Sequence, residues 1–526
     1  MYLVNMLPKS STINSLLQAS LQICALIAIS CVGLLNISCG IFETTIQRTP
    51  EPIPVPLTST AKIDENNSLL VHISGEINSP GNVYVEYWST DTRRLRSKTY
   101  ESLGTTYTAH ATRLKQSTQY SYQVFGINKD GEYAPGPKGL FNTGILPEGL
   151  SNAEFRVIQG QFTQELIFME FRQHEFVGLV AFNKTGDVVW YFQPPDGEQP
   201  YVMSQRPNGN IVYLAGYKGG TTALGIVEIE PIGNEIARHL DDCQGYGPIH
   251  HEIQILPDGN VMYLSRDILW SGITERPFPQ EGDTIGIWNP VTGSAKVVWN
   301  IFDFISPIDR VEPISNYRLP GHPLWGGCER DRSVEDWSHG NSASMDSDGN
   351  IIVSLGHLNQ IISIAPDYKS LNWRLGGPGS DFSFTSHRDR FYAQHTAIPL
   401  ENGNVLLFDN GNRRPESEGG QFSRAQELSL DMDNKVASTV WEYSHPAKLF
   451  SICCSSVERL DNGNTLVMFG SDFADICCRI FVIVEVDQDG RVVWEVHHTS
   501  PGKPNQYRVY ASNSIMGEYE VQPSID

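Results

Sequence analysis

Histidines recur at one place in a repeated turn motif, and imidazole is well suited to nucleophilic and acid–base chemistry near neutral pH. When the motif copies are aligned on their Asn-Gly or Asp-Gly turns, one upstream position holds Tyr201, His251, Asn341, His395 and Ser455. Packing in a strand core favours valine or isoleucine at such a position. Two histidines in the same register therefore indicate a site with a chemical role.

More polar groups gather in the stretch from Asp336 to Gly411. His339 lies two residues before the aligned position, and His357 lies seven residues after the Asn of the next turn. Arg374 follows a tryptophan in a strand that is predicted to pack outside the strand that carries the histidines. Its long side chain can therefore reach the end of the scaffold where the histidines lie. A lone histidine at a strand edge is usually structural. Four histidines and one arginine at one end of a scaffold favour an active site instead.

Aromatic and amide side chains complete this group of candidates. Trp337 and Tyr392 lie near the histidines in the sequence and are predicted to stack on an aromatic substrate. His339 and Asn341 are predicted to bind the same substrate through polar contacts.

Other histidines are interpreted as structural. Side chains alternate along a strand, so His250 is predicted to point away from the face that carries His251. Those outside the repeat register are predicted to be surface or packing residues: His387, His445, His497 and His498. A metal site is a rival interpretation, because three imidazoles can bind zinc or iron. No HxH spacing or carboxylate supports that interpretation in the sequence, so no metal is predicted.

The elements that hold these residues are predicted to be strands joined by tight turns. The chain of 526 residues has 46 glycines and 31 prolines, and its Val/Ile runs are broken by Asn-Gly and Asp-Gly. Hairpin motifs recur at 207–214, 257–264, 347–354, 401–408 and 461–468. Companion segments, most with a Val/Trp pattern, lie at 186–192, 233–239, 295–301, 369–375, 437–443 and 490–496. This repeat is typical of propeller blades, so residues 149–526 are predicted to form a six-bladed β-propeller, with 155–171 supplying the missing first unit.

Three segments precede the repeats. Residues 59–148 alternate in strand fashion and resemble a fibronectin type III β-sandwich, with Tyr120 and Tyr122 on one face. Residues 41–58 are rich in proline, which favours an extended linker. Residues 1–40 contain an apolar run before Cys39 that is typical of an export signal with lipoprotein processing; an uncleaved or differently cut signal is the alternative.

These features predict an all-β, exported protein, periplasmic or at the cell surface, that contacts the membrane only through its N-terminal anchor. The formal net charge of −22 argues against nucleic acid as a partner, because no basic stripe is available to neutralise phosphates. Disulfides are expected in an exported chain. The candidates are Cys243, Cys328, Cys453, Cys454, Cys477 and Cys478. Bridges between the two vicinal pairs are plausible, but the sequence does not fix the connectivity.

Several motifs resemble those of the arylsulfotransferase family. They are GPIHHEIQILPDGN, DWSHGNSASMDSDGNIIVSLGHLNQIISI, NWRLGGPGSDF and YAQHTAIPLENGNVLLFDNG, and the resemblance spans roughly residues 150–500. It implies a six-bladed propeller behind a β-sandwich and a reaction through a sulfohistidine. Carried over by motif, the nucleophile is His395, while His251 and His357 bind the sulfuryl oxygens or pass protons. Arg374 stabilises charge, and His339 is a motif histidine with a less defined role.

The implied substrates are an aryl sulfate donor and a phenolic acceptor, without a cofactor and with ping-pong kinetics. A neutral imidazole is a competent nucleophile towards sulfur, and a second histidine can protonate the departing aryl oxide. A homodimer is an open alternative to a monomer. So is a non-catalytic cell-surface propeller that only binds its ligands.

Overall fold

The computed structural model describes residues 51–173, 175–217, 223–240, 247–269, 279–307, 335–470, 479–500 and 506–521. All elements below belong to one compact unit, Pro52–Asp526. The regular structure in these ranges is strand, apart from 3-10 turns at Ile301–Asp303, Gly356–Leu358, His387–Asp389 and Glu416–Glu418. The predicted all-β class is confirmed. Within the same ranges, no helix has the length and apolar character needed to cross a membrane. The predicted export segment, Cys39 and most of the linker lie outside the described residues.

The N-terminal strands are β1 (Thr60–Ile63), β2 (Val71–Glu76), β3 (Gly81–Trp88), β4 (Leu95–Arg96), β5 (Tyr100–Ser102), β6 (Thr106–Ala111), β7 (Gln119–Ile127) and β8 (Tyr133–Asn142). β1, β2 and β6 form one sheet, and β4, β3, β7 and β8 form a second. One buried cluster joins the two sheets, with Val71 from the first and Val85 from the second. The Tyr120 hydroxyl accepts a hydrogen bond from the Lys115 amide at 2.9 Å, the contact expected of a tyrosine corner. The sandwich and its fibronectin type III character remain predictions.

The next strands are β9 (Phe155–Gly160), β10 (Leu166–Gln173), β11 (Phe176–Asn183), β12 (Val188–Phe192), β13 (Glu198–Gln205), β14 (Ile211–Tyr217), β15 (Ala223–Ile229), β16 (Glu235–Leu240), β17 (Gly247–Ile255), β18 (Val261–Leu269), β19 (Gln280–Trp288), β20 (Ala295–Asn300), β21 (Glu335–Asp336) and β22 (Gly340–Met345). They are followed by β23 (Ile351–Leu355), β24 (Gln360–Ile364), β25 (Leu371–Leu375), β26 (Ser383–Phe384), β27 (His395–Pro399), β28 (Val405–Asp409), β29 (Arg424–Asp431), β30 (Val436–Tyr443), β31 (Ser456–Arg459), β32 (Thr465–Phe469), β33 (Arg479–Val486), β34 (Val492–Ser500), β35 (Val509–Ser512) and β36 (Tyr519–Glu520).

From β9 onwards the strands form successive sheets with consecutive strands as neighbours. The sheets are β12-β11-β10-β35, β13-β14-β15-β16, β17-β18-β19-β20, β22-β23-β24-β25, β26-β30-β29-β28-β27 and β31-β32-β33-β34-β9. The first strands of neighbouring sheets contact one another: β13 with β17, β17 with β22, β22 with β27, β27 with β31, and β31 with β35. Residues on these first strands are therefore brought close together although they are far apart in the sequence.

The hairpin turns of the repeat depend on glycine. Each predicted Asn-Gly or Asp-Gly turn places its glycine at a φ angle between 82° and 92°. This left-handed conformation is unfavourable for residues that have a Cβ atom. These glycines are Gly209, Gly259, Gly349, Gly403 and Gly463. The turns set the register of each first strand against its second, which places the upstream histidines at comparable heights.

The two ends of the repeat region share sheets. β9 adds to the outer side of β34, and β35 pairs with β10. The predicted first unit at 155–171 is thus divided between two sheets, because the strand that lies beside β10 comes from the C-terminal end of the chain. This pairing carries the residues just before β35 towards the other first strands. β36 pairs with β4, a strand of the N-terminal region, in antiparallel fashion.

Candidate functional site

The motif histidines lie in one cluster together with a tyrosine. The ring centroids of His251 and His339 are 4.9 Å apart, and His339 stacks on His357 at 4.3 Å. Tyr507 bridges the cluster to the remaining histidine, with ring centroids 5.7 Å from His251 and 6.3 Å from His395. Histidines predicted from three separate motifs therefore meet at one place.

Local irregularities in the strands aim these side chains. β17, β22 and β27 each shift register against their partner strand near a motif histidine. His251, His339 and Thr396 have φ values of 53°, 52° and 52°, which is unusual for residues other than glycine. Bulges and strained backbone of this kind are concentrated near active sites because they redirect side chains.

The same irregularity overturns the interpretation of His250. Its Nδ1 lies 2.8 Å from Nδ1 of His251, so the two rings contact each other instead of pointing to opposite faces. The prediction was wrong because strict alternation does not hold across a bulge. Nε2 of His250 faces two acceptors at 3.3 Å, the Ser265 carbonyl and Asp283 Oδ1.

The hydrogen bonds of this pair assign their protons. Burial lowers the pKa of both His250 and His251 well below the ordinary value, so both rings are neutral at pH 7. Neutral His250 donates from Nε2 to its two acceptors and must accept at Nδ1. His251 consequently donates from Nδ1, which leaves its Nε2 as a bare lone pair that can accept a proton.

His395 is oriented by an amide. Its Nδ1 lies 2.8 Å from Asn410 Oδ1 and 3.3 Å from the Ala393 carbonyl. The Asn410 amide nitrogen donates to the Ser451 carbonyl at 2.8 Å, which fixes Oδ1 as the acceptor towards His395. Nδ1 therefore carries the hydrogen and Nε2 carries the lone pair. Burial, with the nearby positive charge of His339, lowers the pKa of His395 to about 3, so the ring stays neutral.

The surroundings of His339 raise its pKa, in contrast to those of His395. Its Nδ1 lies 2.6 Å from Oδ2 of Asp336, and His357 Nδ1 lies 2.8 Å from the Asp336 carbonyl. Burial alone would lower the pKa of His339, but the Asp336 carboxylate outweighs burial and raises it above the ordinary 6.5. Burial opposes the charged form of Asp336 as well, yet the two histidines hold its pKa well below the ordinary value. The pKa of His395 is thus lowered and that of His339 raised, which makes them candidates for a base and an acid within one cluster.

Tyr507 and Arg508 were missed by sequence reasoning. The Tyr507 hydroxyl donates to the Asn341 carbonyl at 2.9 Å, and Arg508 donates to the same carbonyl at 2.5 Å and to Glu252 Oε2 at 2.6 Å. The positive charge of Arg508 contributes to the lowered pKa of His395. Both residues directly precede β35. A sequence prediction that β35 pairs with β10 would therefore have pointed to them.

Arg508 also contributes to stability, since it is buried and ion-paired with buried Glu252. Arg508→Met should lower the free energy of unfolding by about 3–5 kcal/mol, because Glu252 is left as an uncompensated buried carboxylate. Denaturant unfolding followed by circular dichroism measures this. Arg491→Met is the control, because Arg491 is exposed and its ion pairs should contribute less than about 1 kcal/mol. Equal losses in the two variants would contradict the assignment.

Three predicted site residues have partners other than the clustered histidines among the described residues. Arg374 donates to Gln360 Oε1 at 3.2 Å and to the Pro378 carbonyl at 2.7 Å. Trp337 is 1% exposed and stacks on Phe302 at 5.7 Å. A small pocket next to them is lined by Ile305, Ser306, Trp337, Leu358, Gln360, Arg374 and Pro378. The third of these residues is Tyr392, which donates from its hydroxyl to Glu418 Oε2 at 2.7 Å.

Asn341, the remaining predicted binding residue, has a structural partner. It is fully buried, and its amide donates at 2.7 Å to the carbonyl of Gln394, the residue before His395. Asn341 therefore helps to place the nucleophile candidate rather than presenting a surface to a substrate.

A metal-type donor set occurs within the cluster. Asp336, His339 and His357 have ligand atoms within 4.8 Å of one another, so the carboxylate that the sequence interpretation lacked is supplied by Asp336. The Nδ1 atoms of both histidines already face Asp336 oxygens at 2.6 and 2.8 Å. The contact of His339 is with the Asp336 carboxylate and that of His357 is with the Asp336 main-chain carbonyl, so an ion bound here would have to replace both hydrogen bonds.

Two of the six candidate cysteines, Cys453 and Cys454, lie among the described residues. The sulfur atoms of Cys453 and Cys454 lie 3.3 Å apart, beyond the length of a disulfide bond. Cys243, Cys328, Cys477 and Cys478 lie outside the described residues. The predicted bridges between the two vicinal pairs stay a prediction.

Comparison with known proteins adds a family. Residues 155–508 match the family model described as "Arylsulfotransferase (ASST)". Arylsulfate sulfotransferase AssT of Escherichia coli is 28% identical over an alignment of 173 residues, and the match covers 26% of this chain and 28% of that protein. The chain therefore matches little more than a quarter of that relative.

Two solved structures resemble the chain weakly. A protein of unknown function from Bacteroides caccae has a TM-score of 0.41 at 16% identity and covers 66% of this chain and 98% of its own. A catalytically inactive variant of virginiamycin B lyase from Staphylococcus aureus has a TM-score of 0.34 at 10% identity, covering 66% of this chain and 99% of its own. These scores are too low to support any conclusion.

Proposed function

The chain belongs to the arylsulfotransferase family, and from this we propose that it transfers a sulfuryl group from an aryl sulfate ester to a phenolic acceptor. The observation that carries the proposal is the setting of His395. Its neutral ring is held through Nδ1 by Asn410, so that Nε2 presents a lone pair in the same cluster as His339, whose pKa is raised by Asp336. In this proposal the sheets from β9 to β35 are the blades of a six-bladed propeller behind an N-terminal sandwich.

The first half-reaction forms a covalent intermediate. Nε2 of His395 attacks sulfur, an N–S bond forms, and the bond from sulfur to the aryl oxygen breaks. The aryl oxide leaves with the electron pair of that bond and takes a proton from Nε2 of His339. Arg508 has its guanidinium bonded to Glu252 and to the Asn341 carbonyl, and in this proposal its positive charge favours the neutral form of His395. Arg374, the residue implied by family resemblance, has its guanidinium directed at Gln360 and Pro378 instead.

The second half-reaction reverses the first with a new oxygen. A phenol loses its proton to a neutral imidazole, for which His251 Nε2 and the deprotonated His339 are the candidates. Its oxygen then attacks sulfur and releases His395. Donor and acceptor use one site in turn, so ping-pong kinetics are expected. His357 helps to position Asp336 through its contact with the Asp336 carbonyl.

Release of nitrophenol from 4-nitrophenyl sulfate, with and without added phenol, tests this function. The proposal expects release that increases with the phenol, together with formation of phenyl sulfate. A well-folded protein that releases no nitrophenol with any of several phenols would favour the alternative of a binding propeller without catalysis.

The pH profile separates the acid from the nucleophile. His395, with a pKa of about 3, is neutral throughout the physiological range and sets no limit there. His339, with a pKa raised above 6.5, is protonated below that raised pKa, so kcat/KM should be level on the acid side of it and fall as pH rises through it. The expected fall is measured with an unsubstituted phenyl sulfate, whose leaving group needs the proton. A profile that falls on the acid side instead, between pH 5 and 7, would contradict the assignment.

Treatment with a chelator addresses the rival metal interpretation. Because the proposed steps use imidazole groups alone, EDTA followed by desalting should leave kcat within about twofold. Loss of activity that Zn²⁺ restores would instead favour an ion at Asp336, His339 and His357, the donor set that the cluster offers.

The proposal includes export of the chain and its anchoring to the membrane through Cys39. A homodimer remains an alternative to a monomer. Metabolic labelling with a fatty acid in the natural chain and in Cys39→Ala distinguishes a lipidated from an unmodified N-terminus. Equal labelling of the two chains would exclude Cys39 as the lipid site.

A further inference from the structure

A second group of possible metal ligands lies away from the histidine cluster and consists of His445, Glu495 and His497. We propose that these side chains form a binding site for a late first-row divalent metal, with Zn²⁺ as the ion that tests it. Nε2 of both histidines and a carboxylate oxygen of Glu495 lie within 4.8 Å of one another. Two histidines and one glutamate are a zinc-binding set that leaves a fourth position for water.

The distances between the ligand atoms suit a tetrahedral ion. Oε1 of Glu495 lies 3.4 Å from Nε2 of His445 and 2.6 Å from Nε2 of His497. Zinc bonds of about 2.0–2.1 Å at tetrahedral angles separate neighbouring ligand atoms by about 3.3 Å. The longer distance already fits, and the shorter needs to open by less than about 1 Å to reach that separation.

The scaffold holds the three side chains firmly. Glu495 and His497 occupy alternate positions of β34 and so share one face, while Trp494, next to Glu495 in the chain, packs into a buried apolar cluster. His445 follows β30 in the neighbouring sheet, and its ring lies 5.9 Å from that of Phe469. A bound ion would link two adjacent sheets.

Neighbouring groups leave the ligand atoms accessible. The amide of Gln159 donates to Oε2 of Glu495 at 2.9 Å, which orients the carboxylate and keeps Oε1 for the ion. His497 is 28% exposed, which gives an ion a path from solvent. His445 Nδ1 accepts the Ala447 N–H at 3.2 Å, so its proton sits on Nε2. Metal binding at Nε2 needs that proton on Nδ1, where it faces the Ala447 N–H, so this hydrogen bond is lost and the affinity is expected to be moderate rather than very tight.

The proposal adds a metal-binding role to His445 and His497, which the sequence interpretation treats as surface or packing residues. Both rings converge on one carboxylate, an arrangement that packing does not require. His498, in contrast, packs on Phe155 and Phe481 at 4.9 Å from each ring and fits the earlier interpretation.

Calorimetric titration of the full chain with ZnSO₄, after chelator treatment and desalting, tests the proposal. We expect one Zn²⁺ site whose affinity falls at least about 10- to 100-fold in Glu495→Gln and in His497→Gln. His387→Gln is the matched control, because His387 is an exposed histidine outside both donor sets. His339→Gln separates any ion held at Asp336, His339 and His357, and should leave this site intact.

Co²⁺ provides a second readout that does not depend on activity. The natural chain should show the visible absorption bands of a four-coordinate Co²⁺ site, and Glu495→Gln, checked for folding by circular dichroism, should lack them. Zinc binding that is unchanged in Glu495→Gln and His497→Gln would overturn the proposal. So would the absence of any Zn²⁺ binding by the natural chain.

Discussion

His395→Asn is expected to reduce aryl sulfate turnover by at least about 10⁴-fold, because the substitution removes the only atom that forms the covalent bond to sulfur. Asparagine can keep a hydrogen bond to Asn410, so the local structure should change little. His251 on β17 and His357 in the 3-10 turn Gly356–Leu358 are held in their own positions by hydrogen bonds of Nδ1, to His250 and to the Asp336 carbonyl, so neither is expected to replace the lost imidazole. The loss is measured as nitrophenol release in the presence of a saturating phenol.

Two controls make this result specific. His387→Asn changes an exposed histidine that touches none of the cluster and should keep full activity. Circular dichroism and the thermal transition of His395→Asn should match those of the natural chain. An activity loss of less than about tenfold in a well-folded His395→Asn would exclude this histidine as the nucleophile.

His339→Gln is expected to reduce kcat/KM by about 10²- to 10⁴-fold for an unsubstituted phenyl sulfate, because the departing phenoxide then lacks its proton donor. The loss should be small for 4-nitrophenyl sulfate, whose leaving group is stable without a proton. Dependence on the leaving group is therefore the readout, and it distinguishes proton donation from a purely structural role. The alkaline fall in the pH profile should disappear in the same variant.

Asp336→Asn is the companion variant. It removes the carboxylate that raises the pKa of His339, so the pH at which activity falls should move down while the fold is kept. If His339→Gln impairs both sulfates equally, or if Asp336→Asn leaves the pH profile unchanged, His339 does not act as the proton donor.

The sequence was most informative where the repeat sets the register. The recurring glycine turns predicted which strands come first in each sheet, and this was sufficient to bring His251, His339, His357 and His395 into one group. The strand class of the fold followed from the same turns and from the Val/Ile runs. Periodicity carries this information because each repeat is a unit that is copied along the chain.

The remaining parts of the site depend on geometry that no repeat encodes. Asn410 and Asp336 hold the histidines through single hydrogen bonds, and such partners are chosen by side-chain direction, not by spacing. The bulge in β17 turned His250 towards His251, against strand alternation. Arg508 entered the site through the pairing of β35 with β10, which joins the far end of the chain to its first sheet. Arg374 lies in the predicted strand, yet local carbonyls bind its guanidinium.

The covalent intermediate is the central claim, and it is tested most directly by mixing the protein with 4-nitrophenyl sulfate in the absence of a phenol. The account predicts a burst of nitrophenol close to one equivalent per chain. Mass spectrometry at alkaline pH should then find one added SO₃ group on the peptide that contains His395, and a phenol should remove it. Turnover with both substrates present, without a burst and without a modified His395 peptide, would contradict the account.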